Sequence, residues 1–352
     1  MKKALIASTA LVLTAGVAAA DVTISGYGRT GVIYYEDGLQ NQNSTTGEAG
    51  SDSQVISRLR MNIDAATSTD QGVDFGARFR IQWDQNGDDN GELNPGKLYV
   101  TSSGLTVEVG NVDTALDSAG LIYGSELGSY DRSVGGNALG SFFAYESAAY
   151  SDDDRLGIAA TYAVENLEVR FSYVDPDQTG LSEDFIPDDP ATDDDEEFNA
   201  KEEFSFSVDY TWNERLELSG GFALNGAGID DHDVYFVGAR YAVMENARIG
   251  LNWIDNGDAG SITGISSDPT NPNIIADFGN TVTLYGDYTL ADGLTNIEAY
   301  IANNSGDWTQ KETDNAFGIG VNYDLGGARL GASLQRDYQE RVTADMGVRF
   351  DF

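Results

Sequence analysis

A chain of 352 residues without cysteine carries 58 acidic side chains against 20 lysines and arginines, a formal net charge of −38. That balance excludes a nucleic-acid binder, which needs clustered cations against phosphate. The missing cysteines exclude a disulfide framework and thiolate metal sites. Forty-one glycines, 18 tyrosines and 15 phenylalanines beside only six prolines indicate a β protein rather than a disordered acidic chain.

The chain begins with a segment that is not expected in the fold. Lys2 and Lys3 precede an apolar stretch from Ala4 to Ala18, and Ala18-Ala19-Ala20 meets the small-x-small cleavage rule. The stretch is too short and too small-sided for a membrane helix, and no later apolar run is long enough for one. Residues 1–20 are therefore expected to be a cleaved export signal, and residues 21–352 a single domain.

From Val22 onward the hydrophobic pattern has period two, which places one face of each segment in an apolar medium and the other in water. Val73, Phe75, Ala77, Phe79, Ile81 and Trp83 alternate with Asp74, Gly76, Arg78, Arg80 and Gln82. Leu156 to Val164 and Phe204 to Trp212 repeat the pattern, as does the end of the chain, where Val342, Ala344, Met346, Val348, Phe350 and Phe352 alternate with polar residues or glycine. About sixteen such segments follow one another, many near the ten residues a tilted membrane strand requires. They cover 22–35, 54–65, 71–84, 96–103, 104–112, 155–164, 166–175, 203–212, 214–225, 232–243, 246–255, 279–290, 294–304, 314–325, 328–338 and 341–352, and all six prolines fall outside them.

Tight turns such as Ser102-Ser103-Gly104, Met244-Glu245-Asn246 and Gly326-Gly327 alternate with the longer connections 36–53, 85–95, 113–154, 176–202, 256–278 and 305–313. This parity belongs to an outer-membrane barrel with short periplasmic turns and long extracellular loops, and a soluble sandwich would lack it. The predicted fold is all-β, a 16-stranded antiparallel transmembrane β-barrel. Tyr34, Tyr35, Trp83, Trp212, Tyr241, Trp253, Tyr288 and Tyr323 sit near strand ends, where amphipathic rings suit the membrane interfaces.

Sixteen strands enclose an aqueous lumen, and the inward phase is rich in charge, Ser, Thr and Gly. Arg29, Arg58, Arg60, Arg78 and Arg80 share that phase on the first three strands and form one basic wall. Segment 113–154 is unusually long and carries Asp113, Asp117, Glu126 and Asp131 between glycines, which suits a loop folded inward. A basic wall facing an acidic loop sets up a transverse field at a constriction, favouring dipolar over apolar solutes. The competing expectation is local pairing of these arginines with Asp64, Asp74 and Asp84. For Arg170, Arg240 and Arg248, on the other half of the barrel, local ion pairing is the expectation.

The acidic run from Asp188 to Glu197 offers oxygen ligands for a weak structural Ca²⁺ or a bridge to lipopolysaccharide, but its spacing matches no calcium motif, and a solvated loop is preferred. No cofactor is expected. His232, the only histidine, lies between Asp231 and Asp233 with no nucleophile motif, so catalysis is not expected.

Asp21-Val22-Thr23-Ile24-Ser25-Gly26-Tyr27-Gly28-Arg29 resembles the mature start of Gram-negative general porins, particularly alphaproteobacterial ones, and Val348-Arg349-Phe350-Asp351-Phe352 resembles their C-terminal assembly signal. The resemblance implies a homotrimer of barrels in outer-membrane lipid and lipopolysaccharide. It also implies a third long loop folded into the lumen, with arginines on the wall opposite acids on that loop. No match to the Pro-Glu-Phe-Gly-Gly loop motif of enterobacterial porins is present. The function expected is passive diffusion of small hydrophilic solutes and ions. The alternatives are a substrate-selective channel and, after it, a structural or adhesive barrel.

Overall fold

The computed structural model describes residues 21–36, 52–85, 92–124, 127, 155–176, 178, 201–259, 276–277, 279–307 and 311–352. The proposed export signal, Glu126, Asp131 and the acidic run at 188–197 lie outside them.

The strands in chain order are β1 (Asp21–Tyr35), β2 (Ser53–Ser68), β3 (Asp74–Asp84), β4 (Glu92–Ser102), β5 (Leu105–Gly110), β6 (Leu156–Val164), β7 (Leu167–Asp175), β8 (Glu203–Trp212) and β9 (Leu216–Leu224). They continue with β10 (Val234–Met244), β11 (Ala247–Asp255), β12 (Asp258–Ala259), β13 (Ala276–Asp277), β14 (Asn280–Thr289), β15 (Thr295–Asn304), β16 (Asn315–Asp324), β17 (Arg329–Arg336) and β18 (Val342–Asp351). All but β12 and β13 close into one barrel of 16 strands, each paired with its neighbours in sequence, with β1 sealing against β18. β12 and β13 form a separate two-stranded sheet within the connection from β11 to β14. Every pairing is antiparallel, so a chain that simply meanders abolishes its own sheet edges, as a membrane without water to satisfy open backbone groups demands.

Period two sorts the side chains. On β16, Phe317, Ile319 and Val321 are exposed on the outside, while the residues between them are buried. Val22, Ile24, Leu59, Phe79, Leu98, Leu251, Leu284, Leu334 and Met346 continue the same outer apolar band around the barrel. In water such a surface would aggregate; against lipid tails it costs nothing, and a charge at its midplane would cost about 2–4 kcal/mol. The strand-end aromatics fall into two belts on this outer surface. Trp212, Tyr241, Tyr288 and Tyr323 lie next to short turns, and Tyr34, Trp83 and Trp253 lie next to long connections. Tyr35 departs from the expectation. One residue beyond Tyr34, it has the opposite phase and is not on the outer belt.

The short turns use backbone conformations suited to tight hairpins. Ser103 and Gly104 both have positive φ, at 52° and 84°, the twist that a two-residue loop between antiparallel strands requires. One sequence expectation is corrected at β4. This strand runs back through Asn94-Pro95-Gly96 to Glu92, so Pro95 lies inside a strand. A bulge makes this tolerable: Arg78 pairs with Lys97 and Arg80 with Asn94, so the ladder skips at the proline, which has no N–H to donate.

Candidate pore constriction

The basic wall is built by register. On adjacent inner faces Arg29 lies directly across from Arg58, Arg58 from Asp84, Arg60 from Gln82, Asn62 from Arg80 and Asp64 from Arg78. Opposed residues in an antiparallel pair are about 5 Å apart at Cβ, well within reach of a guanidinium. Arg58 is ion-paired with Asp84, and Arg78 donates to Asp64 at 2.6 Å. Local pairing therefore accounts for these two of the five arginines. The other pairs are of a different kind. Arg60 donates to the amide oxygen of Gln82 at 2.6 Å, and Arg80 to that of Asn62 at 3.0 Å. A neutral acceptor fixes a guanidinium without cancelling its charge. Arg29, Arg60 and Arg349 also lie 5.9, 5.5 and 4.3 Å from the centroid of the Tyr27 ring, whose π face draws cations together.

Beyond β5 the chain leaves the wall and turns inward. Gly110 has φ of +113°, and a Cβ there would lie 2.5 Å from the Gly96 carbonyl oxygen, so the turn needs glycine. The following residues are anchored by side chains from successive strands. Ser172 Oγ on β7 accepts the Ala115 N–H at 2.9 Å, and Ser205 Oγ on β8 accepts that of Leu116 at 3.3 Å. Asp209 on β8 accepts the Gly120 N–H at 2.9 Å, and Ser219 Oγ on β9 accepts that of Leu121 at 3.4 Å. Asn252 Nδ2 on β11 donates to the Leu121 carbonyl at 2.6 Å.

Apolar packing follows the same path. Leu116, Ala119, Leu121 and Ile122 form a buried cluster with Ala223, Val234, Phe236 and Ile254 from the inner faces of β9, β10 and β11. Farther on, Gly124 lies close against the Tyr285 hydroxyl, and Leu127 approaches Gly318 on β16. The segment is thus folded into the lumen. In the closed ring β9 is eight strands from β1 in either direction, so the anchors stand across the barrel from the arginines.

The acids expected on this segment separate. Asp117 lies on the anchored stretch, accepts from the Tyr123 hydroxyl and is partly exposed. Asp113 instead lies at the near end, 3.4 Å from Lys97 Nζ, which also pairs with Glu108 at 2.8 Å. Lys97 is directly across from Arg78, so it continues the basic wall onto β4 and Asp113 joins that side. Arg170 is ion-paired with Asp209, Arg240 with Glu217, and Arg248 with Asp287 at 2.9 Å, the local pairing expected on this half.

Sequence reasoning passed over Lys97, Arg349 and the serine anchors. Their inward phase was readable, but which strands they meet was not. His232 is buried immediately before β10. Among the described residues no group of three His, Asp or Glu side chains could hold a metal ion.

A model of the Gram-negative porin family matches residues 7–342. The chain is 37% identical over 337 residues to a porin of Fuscovulum blasticum, a match spanning 94% of this chain and 100% of that protein. Two solved variants of Rhodopseudomonas blastica porin, one of them a triple mutant, are 36% identical. They superpose with TM-scores of 0.75 and 0.74, covering 94% of this chain and 100% of theirs.

Proposed function

The chain belongs to the Gram-negative porin family, and from that premise we propose that its passage narrows between the arginine wall of β1–β3 and the inward segment that carries Asp117. It is an outer-membrane β-barrel channel for passive diffusion, not an enzyme. Small hydrophilic solutes and ions cross between the wall and the segment in a transverse field. Arg29, Arg58, Arg60, Arg78 and Arg80, joined by Lys97, supply the positive side. Asp117 supplies the facing negative charge, with Glu126 and Asp131 as further candidates, and Asp113 tempers Lys97. The observation that carries the reading is the opposition of the two features: the segment is anchored on β7, β8, β9 and β11, across the ring from β1.

The test is the reversal potential of single channels in a potassium chloride gradient. A unit charge about 6 Å from a passing ion in water interacts with it by about 0.7 kcal/mol, roughly a threefold change in local ion concentration. Replacing Arg58 and Arg60 together by Ser is expected to widen the pore and to move selectivity clearly toward potassium. Unchanged reversal potentials would remove the constriction from this wall.

Three further proposals accompany this one. The functional unit is a homotrimer in lipopolysaccharide-containing membrane, which cross-linking in native membranes would resolve as a threefold ladder. Residues 1–20 are removed on export, so the mature N-terminus read by mass spectrometry is Asp21. The acidic run at 188–197 holds no structural Ca²⁺, so proteolysis there is expected to be the same with and without calcium.

A further inference from the structure

Away from the arginine wall, the register sets two tyrosines side by side between two glycines. On the inner faces of four consecutive barrel strands, Gly250 on β11 lies across from Tyr285 on β14, Tyr285 from Tyr300 on β15, and Tyr300 from Gly318 on β16. Both rings point into the barrel, since their neighbours Leu284 and Ile301 are exposed on the outside. Both are nevertheless buried, at 5% and 4% exposure. A ring on the wall of a channel is buried only where something lies over it, and here the far end of the inward segment does.

The hydroxyl end of the Tyr285 ring is packed between two glycines. A Cβ on Gly250, in the wall, would meet Cζ, Cε2 and Oη of this ring, the last two at 2.6 Å. A Cβ on Gly124, in the segment, would meet the same three atoms, Oη at 2.5 Å, Cζ at 2.8 Å and Cε2 at 3.0 Å. Carbon atoms in contact need about 3.5–4.0 Å, so neither glycine can carry a side chain unless the ring or the segment moves. Glycine in the strand is what lets the ring approach the wall so closely.

The ring cannot swing toward β15, where Tyr300 stands directly across. Tyr300 is itself fixed. Its hydroxyl donates to Gln335 Oε1 at 3.0 Å, and its ring shares the space over Gly318 with Leu127, each reaching to 2.7 Å from where a Cβ would sit. Tyr285 donates to Asn252 Oδ1 at 3.4 Å, the same amide that holds the Leu121 carbonyl. Nearer its start the segment lies directly on the strands, through serine hydroxyls on β7, β8 and β9. At β14 an aromatic ring takes that place.

We propose that Tyr285, buttressed by Tyr300, is a spacer that sets how far the inward segment stands off the wall at β14, and with it the largest hydrophilic solute the pore admits. It is a positioning residue, acting on solutes only through the segment. The proposal rests on reading the inward segment as one side of the narrowest passage. In the closed ring β14 is seven strands from β3 by the shorter way, so thickness added at Tyr285 is taken from the gap toward the arginine wall, and thickness removed there widens it.

The test is the exclusion limit for neutral polyethylene glycols, read from single-channel conductance. Tyr285→Ala removes a ring about 3.5 Å thick, and the excluded diameter is expected to rise by about 3 Å as the segment settles onto the wall. Tyr285→Phe keeps the ring and loses only the hydroxyl, so its limit is expected to match that of the unmodified channel. Gly124→Ala/Gly250→Ala adds a methyl group against the ring from each side, each about 1 Å short of contact distance, and is expected to lower the limit by about 2 Å. In the triple variant with Tyr285→Ala that narrowing is expected to vanish, because the ring transmits it. Gly124→Ala alone lies outside the barrel ladder and serves if the double variant does not assemble, with an expected fall of about 1 Å.

An unchanged limit in Tyr285→Ala overturns the spacer. So does a Tyr285→Phe limit that shifts like that of Tyr285→Ala, which would assign the positioning to the hydroxyl, or narrowing by the alanines that persists without the ring. Reversal potentials of Arg58→Ser/Arg60→Ser, neither of which touches the spacer, report on the arginine wall separately. A shift there with unchanged polymer limits here leaves the wall standing and removes the spacer. Limits that move as expected here, with no shift there, keep the spacer and remove the arginines from the facing side.

Discussion

Each arginine of the wall owes its effect to the residue directly across the strand pair. Arg58 faces Asp84 and Arg78 faces Asp64, and each of these pairs is close to neutral as a unit. Arg60 faces Gln82 and Arg80 faces Asn62, so in these two cross-strand pairs the acceptor is a neutral amide oxygen that cancels no charge. Gln82→Glu is then a sharper experiment than deleting an arginine. It places a carboxylate of nearly identical shape where the amide now accepts from Arg60 and donates to Asp84 at 2.6 Å, and so adds one negative charge that also repels the Asp84 carboxylate. Selectivity is expected to move toward cations in the same direction as in Arg60→Ser. Exclusion of neutral polymers should stay as in the unmodified channel, because no volume is removed. A changed polymer cut-off without a changed reversal potential would contradict this account. The pairing of arginines with Asp64 and Asp84 was legible from phase alone. The role of Asn62 and Gln82 was not, because a neutral amide on an inner face is ordinary until the register shows what it faces.

At the scale of elements, the alternation of short and long connections and the limits of most strands were legible, since period two and turn residues are local properties. The path of the inward segment was not. Its anchors are Ser172, Ser205 and Ser219, which in sequence are merely small polar residues of the inner phase. Only the fold brings them, one strand after another, beneath the amides of Ala115, Leu116 and Leu121. Each such bond contributes about 1 kcal/mol net. Replacing the three serines by Ala should therefore loosen the segment by roughly 3 kcal/mol without touching the barrel ladder. Larger spontaneous current fluctuations are expected, together with faster proteolysis within 111–124, while the barrel keeps its resistance to heat in detergent. A quiet channel in the triple variant would shift the anchoring to the apolar cluster around Leu116 and Ile122. On the opposite rim, the turn from β14 to β15 is held by Asp292. Its carboxylate accepts from the Thr295 hydroxyl and from the N–H groups of Thr295 and Leu294, and these bonds hold it below the usual carboxylate range. A depressed value means that the turn's extra stability is present above the ordinary carboxylate pKa and is lost as pH falls through the lowered one. Amide resonances of Leu294 and Thr295 should titrate together at that lowered pH and lose the transition in Asp292→Ala.

For the whole molecule, two opposing charge distributions act over different distances. The chain as a whole is strongly negative, at −38, whereas the β1–β3 wall proposed to line the narrowest part of the passage is rich in arginine. Composition alone argued for cations and the arginine pattern against them, and the sequence could not decide because it does not give distances from the ion path. Ionic strength separates the two contributions. At 0.01 M salt the screening length is about 30 Å, longer than the lumen radius, so acidic side chains remote from the wall act on ions throughout the passage. At 1 M it falls to about 3 Å, and only groups within contact of the ion retain influence. The permeability ratio of potassium to chloride is therefore expected to favour potassium at low salt and to fall as salt rises at a fixed gradient ratio. At 1 M the remaining selectivity should respond to Gln82→Glu and to Arg58→Ser/Arg60→Ser. Neutralising surface acids on the long connections should have little effect there, although it dominates at 0.01 M. A ratio that stayed constant from 0.01 to 1 M would mean that distant charge contributes nothing. Selectivity would then belong entirely to the proposed constriction between Arg60 and the segment anchored at Asp209.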